Sequence, residues 1–85
     1  MKRITAEQQK KMLETNTQIK NELSDIINQL ENLCKKADSY EVSSSYTNAI
    51  YDHISEAETR VRMANIRCSE LEVEIKSGEL SESFY

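Results

Sequence analysis

Proline and tryptophan are missing from this 85-residue chain, glycine occurs once, and histidine occurs once, at His53. A sheet protein with frequent tight turns needs far more glycine and proline, and without proline nothing interrupts a helix. The composition therefore favours a helical bundle or coiled coil. Positive charge is also in short supply, with 11 Lys and Arg against 15 Asp and Glu and a net charge of −4. That balance argues against binding double-stranded nucleic acid by phosphate neutralisation. Cys34 and Cys68 have neither the paired spacing of a zinc site nor the density of a secreted disulfide scaffold, so both read as small buried apolar residues. No run approaches the roughly 18–20 apolar residues of a membrane span. Met1 to Lys11 carry no apolar stretch behind Lys2 and Arg3, so the expected location is the cytoplasm, with signal-independent secretion left open. A chain this short holds one structural unit with little capacity to bury a core.

What the sequence does have is periodicity. Met12, Ile19, Ile26 and Leu33 recur every seven residues, with Leu23, Leu30 and Ala37 interleaved at steps of four and three. That is the signature of a helical seam. Leu13, Ile27 and Cys34 form a neighbouring column that widens the apolar face. Thr5 with Gln8 three places on resembles a capping box and starts the first helix at Ala6. The periodicity fails between Ala37 and Ser45, where Asp38, Ser39 and Ser43 to Ser45 offer short polar side chains that compete with helical hydrogen bonds. One of the three serines is expected to cap a second helix. There Ile50, Ile54, Ala57, Val61, Ala64, Cys68, Leu71 and Ile75 repeat the alternation, until Ser77 and Gly78 end it.

The expected fold is thus all-α: an antiparallel two-helix hairpin with helices at about 6–38 and 45–77, residues i and about 86 − i lying level. Residues 1–78 form the hairpin and 79–85 a short flexible tail. Cys34 and Cys68 then lie about 24 Å apart by helical rise, too far for a disulfide. Two helices alone shield one stripe each, so the hairpin is expected to complete a bundle by association. The partner is either a second copy, in a homo-oligomer, or another helical protein. Leu13, Ile27 and Cys34 on the first helix, with Met63, Ile66 and Val73 on the second, are the expected interface, and Asn16 at a seam position is a candidate for fixing register.

No constellation points to catalysis. Cys34 is level with Asp52 and His53 under this register, but a Cys-His pair without a third orienting group or an oxyanion loop does not make a nucleophilic site. No phosphate loop, Cys-x-x-Cys, His-Glu-x-x-His or acidic calcium loop occurs, and no metal or cofactor is expected. One polar column remains: Tyr46, His53, Arg60 and Arg67 recur every seven residues along one flank. Arg forks beside aromatic rings suit a phosphate and a base, as in a small anionic nucleotide, while flanking arginines equally make ion pairs with acidic neighbours.

In length and hairpin pairing the chain resembles the two-helix substrates of type VII secretion. Their Trp-x-Gly turn would fall within Ser39 to Ser45, where there is no Trp, and no Tyr-x-x-x-Asp/Glu signal follows the second helix. It resembles small type III secretion chaperones in shape alone. The stretch Tyr46-Thr-Asn-Ala-Ile-Tyr-Asp-His53-Ile54-Ser-Glu-Ala57, continuing to Val61 and Ala64, resembles phage-encoded helical hairpins that sequester cyclic-nucleotide signals of bacterial defence. Its basic-plus-Trp start is replaced by Ser45-Tyr46. That resemblance implies an anti-defence protein with Tyr46, His53, Arg60 and Arg67 as its ligand surface. The leading expectation is a non-enzymatic interaction module: an adaptor, chaperone or inhibitor.

Overall fold

The computed structural model describes residues 2–81. Two helices, α1 (Ala6–Ala37) and α2 (Ser45–Ser77), lie antiparallel and pack against each other. Two short strands, β1 (Lys2–Arg3) and β2 (Glu79–Leu80), pair antiparallel at the open end of the hairpin.

Local chemistry sets the helix ends. Thr5 Oγ1 accepts from Gln8 N at 3.1 Å while Gln8 Oε1 accepts from Thr5 N at 2.9 Å, a reciprocal box that satisfies two otherwise unpaired amides. Ser44 and Thr47 build the same box at the start of α2, at 3.2 and 2.8 Å. Gly78 closes α2 in the left-handed conformation, φ 82°, and its amide donates to Ile75 O at 3.0 Å. A Cβ at Gly78 would meet nothing within 4 Å, so the backbone angle alone is the obstacle. Gly78→Ala is expected to cost about 1 kcal/mol and to lower the helical melting transition seen by circular dichroism.

Two expectations are corrected here. Glu79 and Leu80 belong to a strand and not to a free tail: Lys2 is level with Leu80, Arg3 with Glu79, and Ile4 N donates to Gly78 O at 3.1 Å. The left-handed Gly78 reverses the chain so that it meets the segment leading into α1. Residues 82–85 of the expected tail lie outside the described residues. Between the helices, the bonds of Gln9 to Ile75 O, Asn16 to Cys68 O and Asn65 to Lys20 O keep the rods near the expected level of 86 − i. Cys34 and Cys68 are both free.

The second correction is rotational. Leu13, Ile27 and Cys34 do not face outward: Ile27 is buried and the other two are half-buried, in line with Asn16, Lys20, Leu23, Leu30 and Ala37. These positions follow the four-three alternation and form the face that α1 turns to α2. On α2 the inward line is Ile54, Glu58, Val61, Asn65, Cys68, Glu72 and Ile75. The column expected to be the seam is instead the more exposed one, with Ile19 at 43%, Ile26 at 41% and Leu33 at 45%, matched on α2 by Ile50 at 43% and by an exposed Ala64. The reason lies in the polar residues of the true seam: the amides of Asn16 and Asn65 reach backbone carbonyls of the opposite helix, and Lys20 pairs with Glu72 across it.

The hairpin is one helix layer thick, measuring 57 × 25 × 12 Å. Among the described residues only Ile27 and Ile75 are buried apolar side chains.

Candidate functional site: an uncovered apolar face beside a polar seam

Polar rungs cross the interhelical seam along its length. Asn16, 5% exposed, donates through Nδ2 to Cys68 O at 2.8 Å. Gln9 Nε2 donates to Ile75 O at 2.8 Å and Lys76 O at 3.2 Å, and Asn65 Nδ2 to Lys20 O at 3.3 Å. Each amide reaches a backbone carbonyl on the facing helix. Such a bond forms at one register only, so these rungs fix the stagger of the two rods.

Charged rungs lie between them. Glu72 is held by Lys76 at 3.0 Å and Lys20 at 3.4 Å, and its carboxyl sits below the usual range because of the hydrogen bond and charge of Lys76 first, then those of Lys20. A carboxylate with a depressed folded pKa contributes stability above its unfolded pKa, and that contribution is lost as pH falls through the folded value. The acid limb of the stability curve is therefore expected to be shallower in Glu72→Gln than in the parent, measured by urea unfolding across pH. Nearer the loop, Arg62 bridges Glu58 at 2.9 Å and Glu31. Glu58 also lies 3.9 Å from the Cys34 thiol, which is pushed up by desolvation and by that carboxylate. Cys34 is thus set against Glu58, and His53, expected beside it, is exposed. Because only the thiolate alkylates, Cys34 is expected to react slowly with iodoacetamide at neutral pH and faster in Glu58→Gln, read by peptide mass spectrometry.

Beside the seam, further apolar residues gather on one broad face. Met12 and Ile19 share a shallow groove with Leu71, and Leu33 shares another with Ile50 and Ile54 near the loop. The stripes Met12-Ile19-Ile26-Leu33 and Ile50-Ala57-Ala64-Leu71 thus run side by side. The opposite face carries Asn21, Ser24, Asn28, Glu31, Lys35, Ser55, Arg62 and Ser69 by the same helical periodicity.

The chain matches no protein-family model, no curated protein and no solved structure. The site must accordingly be read from its own chemistry.

Of the residues expected at an interface, Met63, Ile66 and Val73 are exposed on the outer side of α2, away from the two stripes. Leu13, Ile27 and Cys34 belong to the seam. Tyr46, 82% exposed, His53, Arg60 and Arg67 line the rim of the apolar face next to Ile50, Ala57 and Ala64. Arg60 pairs with Glu56 at 2.8 Å and Arg67 with Glu70 at 2.7 Å, both within α2. The column is a solvated edge, its two guanidinium groups already engaged by carboxylates of their own helix. Among the described residues no three His, Cys, Asp or Glu side chains converge as metal ligands, and no helix is long and apolar enough to cross a membrane.

Sequence reasoning placed Asn16 in the seam but missed its other polar members. Its signal was available: Asn16, Lys20, Glu58, Asn65 and Glu72 keep the four-three spacing as faithfully as the aliphatic residues do.

Proposed function

We propose that the chain is a non-enzymatic helical interaction module, acting in the cytoplasm by laying the apolar face of its hairpin against a helical protein partner. One observation carries this: Ile19, Ile26, Leu33 and Ile50, each more than two-fifths exposed, stand together on one side of the rod. Large contiguous apolar patches on small proteins mark sites of association. A single helix layer cannot bury enough surface to offset the entropy of ordering it, so covering this face also completes the core. An adaptor, a chaperone or a small inhibitor would each use such a surface.

The test places a photo-reactive amino acid at Ile26 or, on the polar face, at Asn28, and irradiates cells producing the full chain. Covalent adducts with protein are expected from position 26 and not from position 28. Equal labelling from both positions, or none from position 26, overturns the reading.

A further inference from the structure

The groove nearest the strands is lined by Met12, Ile19 and Leu71 with Lys11, Thr15 and Asn16, and its volume is about 230 Å³. That is below the roughly 300–1,000 Å³ of small-molecule pockets and suits a single aromatic side chain. The chain itself leads there. Gly78 turns it back, and three residues later Ser81 donates to the Glu74 carboxylate, through its amide at 3.4 Å and through its hydroxyl. Glu74 lies four residues before Gly78, so β2 runs back along α2 in the direction of the loop. Glu74 also stands seven residues past Arg67, on the same rim of the apolar face, and one turn from Leu71. Ser81 is thereby pinned at the edge of the groove with the chain heading along it.

We infer that the segment Glu82–Tyr85 is an intramolecular strap, seating Phe84 on Met12, Ile19 and Leu71. The reach is right. Measured from Glu74 by helical rise, Leu71 lies about 4.5 Å along α2. The bonds of Asn16 to Cys68 O and of Asn65 to Lys20 O set Ile19 level with Asn65, about 14 Å along. Phe84, three residues past Ser81, advances about 10 Å in extended chain and falls between the two. Its side follows from alternation: residues two apart share one side of a strand, so Phe84 faces as the half-buried Leu80 does. Charge agrees. Glu82, the one charged residue of the segment, passes between Lys11 of the groove and Arg67 of the rim, whose pairs with Glu7 and Glu70 are solvent-exposed and exchange at little cost.

The covalent link decides the occupant. A ring tethered by two residues to an anchor at the groove's edge has an effective concentration on the order of millimolar, which favours it over a free partner present at lower concentration. Seating Phe84 shields Met12, Ile19 and Leu71 and leaves Ile26, Leu33 and Ile50 as the part of the face open to another protein. The inference goes beyond the module reading without resting on it: Ile26 lies outside the groove, so photo-crosslinking from position 26 keeps its own outcome.

Phe84 is the chain's only phenylalanine, so the full chain produced with para-fluorophenylalanine carries a single fluorine label. Its NMR resonance in the folded protein is expected away from the position it takes in urea, and unchanged on dilution. Leu71→Ala and Ile19→Ala should each move it toward the urea position, while Val73→Ala, on the outer side of α2, leaves it in place. A folded-state resonance at the urea position, or one indifferent to both groove variants, overturns the inference. So does a resonance that moves toward the urea position on dilution, because the ring would then be seated on another molecule. A photo-reactive benzoylphenylalanine at position 84 gives a second reading that needs no groove variant. Crosslinks at monomer mass are expected to the peptides that hold Met12, Ile19 or Leu71; adducts confined to other peptides, or to dimer mass, or no adduct at all, overturn the strap.

Discussion

Ile75→Ala is expected to destabilise the chain by about 2–5 kcal/mol, enough to leave much of it unfolded at room temperature. Ile75 is the one large side chain with no exposed surface among the described residues, packed where the end of α2 meets the strand pair. Its carbonyl also accepts from Gln9 and from Gly78 N, so the position joins α1, α2 and the turn into β2. Removing three carbons forfeits their transfer energy and leaves a void that a one-layer structure closes only by separating its helices. Urea unfolding by circular dichroism measures this. A loss below 1 kcal/mol would mean that the strand end of the hairpin contributes little to holding the rods together. Ile75→Val, shorter by one methyl group, should cost about 1 kcal/mol and so grade the effect by volume.

The second large effect is expected at Asn16. Asn16→Ala removes the amide that donates to Cys68 O and empties a buried site, with an expected cost of about 1–3 kcal/mol. Asn16→Leu separates packing from polarity. It restores volume, so its melting temperature should recover toward the parent, while the carbonyl of Cys68 remains without its cross-helix donor. With one rung gone, the stagger of the rods has one constraint fewer, and amide exchange in the middle of α1 is expected to quicken. Parent-like exchange in Asn16→Leu would show that Gln9 and Asn65 suffice to set the register.

What could be read from the sequence was local. Thr5 with Gln8, a serine before α2 and Gly78 after it act within one turn of chain, and each sits where its side chain or backbone freedom dictates. Helix rotation could not be read the same way. Met12-Ile19-Ile26-Leu33 and Leu13-Ile27-Cys34 are adjacent columns about 100° apart on a helix, both apolar. Which one faces the neighbouring rod is decided by Asn16, Lys20, Asn65 and Glu72, whose partners are more than forty positions away. The strands escaped for another reason: two residues are too few to show alternation, and Lys2, Arg3 and Glu79 are charged.

The short ladder between Lys2 and Leu80 has a consequence for anything tethered to the molecule. It draws the leading and trailing segments to one pole and leaves the loop pole bare. A fluorophore carried on a leash ahead of Lys2 and another at Val42 in the loop would stand at opposite poles of the rod. Energy transfer between such labels would rise if the rods came apart and the poles drew together.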